Sequence, residues 1–416
     1  MLDRVATDDG AVLVARATQI AARLTARGAA AESAGRLPEE TIAEVIDAGL
    51  MRAAVPRRFG GLEVAYRHIP QIQRALGRGC LATAWTIGIL IQHNFQVGLY
   101  SEELQQEIWA DGPDTFVPGY IVPGGTAKRV DGGYRLSGHW RFGSGFPHGQ
   151  WIVLSAHEVV NGEKGTLLRI AVPVKDAKAI NNWQVSGLAG TGTWDCSIDD
   201  VFVPAHRVMP AAGMQDGTAP GIAVNRGPLW RIALIPFYYP NMSAMMLGAA
   251  EGVAALVREQ SAKRVFAYGG AHAADLGYVR ANLGRHTLLL NAAAALWEAQ
   301  VALVERAAYG SSAGGADGAG GAGGAAEAER ADGYASNAER FGVRANCAWV
   351  VKQARAAVNE LCDQAGTSSF FLNSPLQRFH REINVLSSHA FYEFDRIATA
   401  YGQVLLDDTL PAGEMA

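Results

Sequence analysis

The sequence predicts an α+β chain in three consecutive parts: helical, then β, then helical again. Across the first 113 of its 416 residues the chain is Ala-rich, with apolar residues at helical spacing. From about residue 115, short runs such as TFVPGYI, GYRLSGHWRF, WIVLSAHEV and LLRIAVPV replace that texture. They are rich in Val, Ile, Tyr, Trp and Phe and punctuated by Gly, Pro and Asp, which is strand and turn chemistry. From about residue 232 long helical patterns return. The expected boundaries are 1–113, 114–227 and 228–416. A chain this long exceeds one ordinary core, so more than one packed unit is expected.

In the first part a helix is expected over 11–27. A second should open at Pro38, followed by Glu39 and Glu40, because proline is tolerated and acids are favoured at the positive end of a helix. It should stop near Gly49. PRRFGG (56–61) reads as a loop, 82–99 as a buried helix, and Ser101 as the cap of the next. The last part should hold four long helices over 240–263, 273–309, 337–364 and 376–406, which suggests an antiparallel four-helix bundle. Residues 310–324 are almost pure Gly, Ala and Ser and read as a linker between bundle helices.

Composition removes several function classes. Apolar residues make up 49% and charged residues 18%, with a formal net charge of -4, which suggests neither nucleic acid nor an anionic membrane as partner. Cys80, Cys196, Cys347 and Cys362 are far apart and lack metal spacing, so no metal site is expected, and reduced thiols in a cytoplasmic protein are. The N-terminus lacks the apolar segment of a signal peptide. The longest apolar stretch, around 82–90, is too short to span a bilayer.

Three motifs make the reading specific. GYRLSGHWRFGSGFPHGQW (133–151), GLAGTGTWDCSIDDVFVP (187–204) and SPLQRFHREI (374–383), in this order, resemble conserved stretches of the acyl-CoA dehydrogenase superfamily. That resemblance implies an N-terminal helical domain, a central β-barrel domain and a C-terminal four-helix bundle, assembled as a homotetramer. WRFGSG (140–145), QHN (92–94), Ser388–His389 and Tyr401–Gly402 resemble the branch of two-component flavin monooxygenases. Such enzymes take reduced FMN or FAD from a separate flavin reductase. They use O2, through a C4a-hydroperoxyflavin, to oxygenate a small, often aromatic, substrate. Glu382 stands where the usual motif has Asp and keeps the charge.

The same resemblance assigns roles. Ser144 is the hydroxyl expected beside flavin N5, with Gly145 permitting close backbone approach; the alternative is an ordinary turn serine. His389 and His93 are the expected proton-handling residues, since imidazole titrates near neutrality, and His148 is a weaker candidate. Each could instead be a hydrogen-bonded structural histidine. Trp140 is expected to wall the flavin or to fill the β core. Thr191 and Thr193 are expected at the ring edge or phosphate, and Arg264 at the phosphate across a subunit interface. Phe237, Tyr238 and Tyr239 are expected either as an aromatic substrate wall or as packing.

Two other readings stay open. An acyl-CoA dehydrogenase-like FAD enzyme would use Glu393 as its base, although the residues after it depart from that pattern. A flavin-binding scaffold without catalysis would need none of these side chains for turnover.

Overall fold

The computed structural model describes residues 8–266, 269–310, 333–411 and 414. Apart from Gly310, the Gly-rich stretch expected as a linker lies outside the described residues.

Five helices open the chain: α1 (Asp9–Ala34), α2 (Glu39–Asp47), α3 (His68–Gly79), α4 (Leu81–Val97) and α5 (Glu102–Ile108). The Asp8 carboxylate caps α1 by accepting from the Gly10 N–H at 3.0 Å, and Gly35 closes the helix in the left-handed region at φ 64°. Helix α1 buries a stripe of Leu13, Ala17, Ile20, Leu24, Gly28 and Ala31, spaced at three and four residues. Helix α4 is buried on all sides, its polar Gln92, His93, Asn94 and Gln96 included, as a mostly apolar helix without a polar face would be. Ser101 caps α5 as expected, its Oγ accepting from Leu104 N–H at 3.3 Å.

The middle part is a seven-stranded sheet: β1 (Gly119–Val130), β2 (Gly133–Gly143), β3 (Trp151–Val160), β4 (Glu163–Pro173), β5 (Lys178–Ile180), β6 (Trp194–Pro204) and β7 (Val208–Pro210). Its order is β5-β6-β2-β1-β3-β4-β7, and only β1 and β3 run parallel. This corrects the expected β-barrel. The two end strands, β5 and β7, have three residues each and do not pair with each other, so the sheet stays open. Short edges leave little unpaired backbone to protect.

A short helix α6 (Gly213–Asp216) leads to α7 (Leu234–Lys263), α8 (Gly277–Tyr309) and α9 (Asn337–Ala365). The expected fourth long helix is instead two, α10 (Pro375–Leu386) and α11 (Phe394–Asp407), separated by seven residues. The Ser387 and Ser388 hydroxyls both donate to Asn384 O, at 3.1 and 3.2 Å, and so compete with the helical ladder where it ends. The break turns His389 out of regular helix.

The two helical parts share one core, reaching from Leu13 to Tyr392, while the sheet keeps a second core around Trp140, Leu154 and Ile170. Helices α3 and α7 join the helical parts at glycine positions. A Cβ on Gly248 would stand 2.1 Å from Arg74 O, and one on Gly77 would stand 2.5 Å from Met245 O. The backbones therefore approach as closely as they do only because neither carries a side chain.

Candidate active site

Where the sheet meets α4 and the break before α11, the fold leaves a cavity of about 790 Å³. That lies within the size range of small-molecule sites, roughly 300–1,000 Å³. Trp85 of α4, Phe142 and Ser144 from the end of β2, Thr191 and Thr193 from the turn before β6, Arg169 of β4 and His389 all line it.

Four of these side chains form one hydrogen-bonded chain. Trp85 Nε1 donates to Ser144 Oγ at 2.8 Å, Ser144 Oγ meets Thr193 Oγ1 at 2.8 Å, and Thr193 Oγ1 meets Thr191 Oγ1 at 2.6 Å. Thr191 Oγ1 donates to Leu188 O at 2.8 Å. A hydroxyl has one proton. Thr191 spends its proton on Leu188, so Thr193 must donate to Thr191, and Ser144 must donate to Thr193. Ser144 then holds one lone pair engaged by Trp85 and one free. It reaches the cavity as a hydrogen-bond acceptor.

Backbone geometry sets this corner. Phe142 has φ 73° and sits where the β2–β6 register shifts. Positive φ is strained for a side chain of this kind and needs support from its surroundings. Asp195 supplies it by accepting the Phe142 N–H at 3.1 Å. Burial works to raise the Asp195 carboxyl, but hydrogen bonds from His139, Asn182 and that N–H outweigh it and hold it below its ordinary range. The reversal leaves the Phe142 ring half-exposed in the cavity wall, edge-on to Trp183 at 6.0 Å. Gly145 follows at φ 76° and donates its N–H to Thr191 O at 2.9 Å. It shapes the turn without lining the cavity.

His389 faces the same space from the broken helix. Its Nδ1 accepts from the Phe391 N–H at 3.2 Å, so the neutral ring carries its proton on Nε2. Burial pulls its pKa down to about 4, which keeps it neutral near pH 7. The ring lies 5.5 Å from that of Trp85, which thus bridges His389 and Ser144.

Other expected site residues lie elsewhere. Trp140, expected as a flavin wall or a β-core residue, takes the second role: it is fully buried in the sheet core and donates to Ser155 O at 2.7 Å. Two residues on, Phe142 lines the wall, because its left-handed backbone and the register shift turn it out of the strand's alternation. Phe237, Tyr238 and Tyr239 are buried within α7 and do not line the cavity; Leu234 and Ile235, one turn earlier, do. Phe237 stacks on Phe95 at 3.8 Å, and Tyr239 packs on Phe391.

His93 is buried and is not part of the cavity lining, with Nδ1 bonded to Val117 O at 2.8 Å. Burial, aided by nearby Arg169, depresses its pKa to about 3. His148 is likewise pushed down by burial, and its Nε2 makes no hydrogen bond. Arg264 donates to Gln364 O and Ala365 O, capping α9 away from the cavity. Glu393 pairs with Arg396 at 2.9 Å and is outside the lining.

Sequence reading missed Trp85, Phe142, Trp183 and Arg169. For Arg169 a signal existed: it interrupts an apolar run whose strand is buried on both faces.

Comparison with known proteins agrees with this architecture. Residues 7–110 match the family model for the acyl-CoA dehydrogenase N-terminal domain, and 241–394 match that for the C-terminal domain. A pigment production hydroxylase from a Rhodococcus sp. is 30% identical over 369 residues, covering 89% of each chain. The oxygenase component of p-hydroxyphenylacetate 3-hydroxylase from Acinetobacter baumannii is 27% identical, covering 95% of this chain and 89% of that one. Among solved structures, the HsaA monooxygenase of Mycobacterium tuberculosis superposes with a TM-score of 0.85 at 25% identity, covering 97% and 99% of the two chains. XiaF from Streptomyces sp., solved with FADH2 and glycerol, also gives 0.85, at 26% identity over 97% of each chain. The chain belongs to the acyl-CoA dehydrogenase superfamily, on its branch of flavin-dependent monooxygenase oxygenase components.

Proposed function

We propose that this protein takes reduced FMN or FAD from a separate flavin reductase and uses O2 to hydroxylate a small aromatic molecule. One oxygen atom enters the product and the other leaves as water. The observation that carries this reading is the proton order of the hydroxyl chain, which leaves Ser144 with a free lone pair on the cavity. The reduced form of a flavin presents an N–H at N5, which an acceptor so placed would hold. The group fits in other respects: Phe142, Trp183 and Trp85 offer flat apolar walls, and Thr193 and Thr191 fix the acceptor.

When bound, the flavin supplies the electrons that activate oxygen. The protein's own contributions are positional. Ser144 accepts, His389 offers Nε2–H as a donor toward the reacting oxygen, and the aromatic walls exclude water. A dehydrogenase would need a carboxylate base, and among the described residues no Asp or Glu lines the cavity. That favours the oxygenase reading over the one built on Glu393.

We further propose a cytoplasmic homotetramer. Four free buried cysteines suit a reducing compartment. Helix α8 is apolar for much of its length, yet much of that apolar stretch is exposed, Leu288 at 71%. Such a face suits burial against other copies. Arg264 would meet a flavin phosphate only across such an interface.

The test is anaerobic loading with reduced FMN or FAD, followed by 18O2 and a set of phenols and indoles. Incorporation of one labelled oxygen into an aromatic product is the expected outcome. No incorporation, with bleaching of bound FAD by acyl-CoA thioesters, would replace this reading with the dehydrogenase.

A further inference from the structure

Away from Ser144, the cavity wall contains a guanidinium for which the fold has no counter-charge. Arg169 is 4% exposed, and among the described residues no carboxylate lies within ion-pair distance of it. Its Nη1 donates to Tyr120 O at 3.1 Å and to Ser155 Oγ, and its Nη2 donates to Gln96 Oε1 at 2.8 Å. A guanidinium has five N–H groups. Three are spent on neutral acceptors, Nε is buried without a partner of good geometry, and Nη2 keeps one more N–H; the neutral Tyr100 hydroxyl also lies against them.

The surrounding titratable groups are neutral as well. Burial pushes the Tyr100 hydroxyl up to about 12 and the Tyr238 hydroxyl up too, while His93 stays uncharged. Gln96 Nε2, beside the guanidinium, is another donor without an acceptor. A buried charge held only by neutral acceptors is costly, and unspent donors beside it add to the cost. A ligand anion in the cavity would relieve both.

We propose that Arg169 selects the substrate: the cavity takes an aromatic molecule bearing a carboxylate, which Arg169 receives through the N–H groups the protein leaves unspent. Two neighbouring donors on one planar group match the two oxygens of a carboxylate. The apolar remainder of the lining, Leu167, Met214, Leu234 and Ile235 among it, suits the ring. This inference rests on the aromatic-hydroxylase reading and narrows its substrate class.

Matched pairs test it: benzoate and benzamide, 4-hydroxyphenylacetate and its amide, indole-3-acetate and its amide. Members of a pair differ in charge and little in shape. Binding is measured by calorimetry without oxygen, to the protein alone and with reduced flavin. We expect at least one acid to bind about 30-fold tighter than its amide, as for a hydrogen bond to a buried charge. In Arg169→Met that ratio falls toward one while the amide affinity holds; in Arg169→Lys it is intermediate. A purely structural Arg169 would weaken acid and amide together, so the ratio is the deciding quantity. A wild-type ratio near one in every pair, or a ratio unchanged in Arg169→Met, overturns the proposal. Reduced-flavin binding with no preference for acids leaves the hydroxylase reading intact. Preference for acids with no reduced-flavin binding leaves Arg169's role and removes that reading.

Discussion

The Ser144 side and the Arg169 side of the cavity handle polar groups in opposite ways. Around Ser144 every hydroxyl proton has a destination, running from Trp85 through Ser144 and Thr193 to Thr191 and Leu188 O, and what remains is an acceptor. Around Arg169 the acceptors run out first, and what remains is donors and a positive charge. The first arrangement is uncharged and complete without a ligand, so it can stand preorganised at little cost. The second is strained electrostatically until something anionic arrives. A cofactor edge and a substrate group are thus distinguished by charge and by donor direction, within one cavity.

Removing the acceptor should do the most damage. Ser144→Ala is expected to lower product formed per reduced flavin consumed by about 100-fold, the scale of losing one preorganised polar contact in an active site. Ser144→Thr should recover part of it, because a hydroxyl returns. If the two sides are independent, Ser144→Ala and Arg169→Met should combine additively within about 0.5 kcal/mol in kcat/KM. A larger coupling energy would mean that the substrate carboxylate and the hydroxyl chain communicate, and the comparison would have to be redrawn.

Trp85→Phe is a milder version of the first change. It keeps an aromatic wall and removes one N–H, freeing a second lone pair on Ser144. We expect a loss of roughly 1 kcal/mol, about fivefold in turnover, as for one net hydrogen bond. Equal losses in Trp85→Phe and Ser144→Ala would show that Trp85, not Ser144, makes the essential contact. Smaller again is Phe142→Leu, expected to weaken reduced-flavin binding by about threefold through lost ring area.

Much of this was legible in the sequence, and the failures have physical causes. The three-part order, the Ser101 cap and the cavity positions of Ser144, Thr191, Thr193 and His389 all follow from local pattern and motif. Trp140 fills the sheet core, the second of its two expected roles, in step with Tyr134 and Leu136, whereas Phe142 leaves that alternation because its backbone turns left-handed, which residue type alone does not signal. The fourth bundle helix was drawn unbroken because Ser387 and Ser388 fit a helical pattern until their hydroxyls are seen competing for Asn384 O. The barrel failed at its edges: closure depends on whether three-residue strands find each other, and no local signal records that. Arg169 stands out in sequence only as a charge inside an apolar run, and its lack of a counter-charge depends on neighbours that the fold brings in from elsewhere.

The smallest expected effect is that of pH on His389, and it is informative because it should be absent near neutrality. A histidine in an unfolded chain titrates near ~6.5. In the folded protein burial holds His389 at about 4 and His93 at about 3. Above ~6.5 both states are neutral at these positions and stability does not depend on them. As pH falls from ~6.5 toward the folded values, the unfolded chain binds protons that the folded one refuses, so stability is lost at up to ~1.4 kcal/mol per pH unit for buried His93. Thermal melts should therefore fall steeply between pH 6 and 4 and less steeply in His93→Gln. Turnover of the intact protein should stay level from about pH 6 to 8, because His389 remains a neutral Nε2–H donor throughout. An activity midpoint near 6.5 that disappears in His389→Asn would show that the imidazole cycles as a base. The proton on Nε2, fixed by the Phe391 N–H, would then have to leave during turnover.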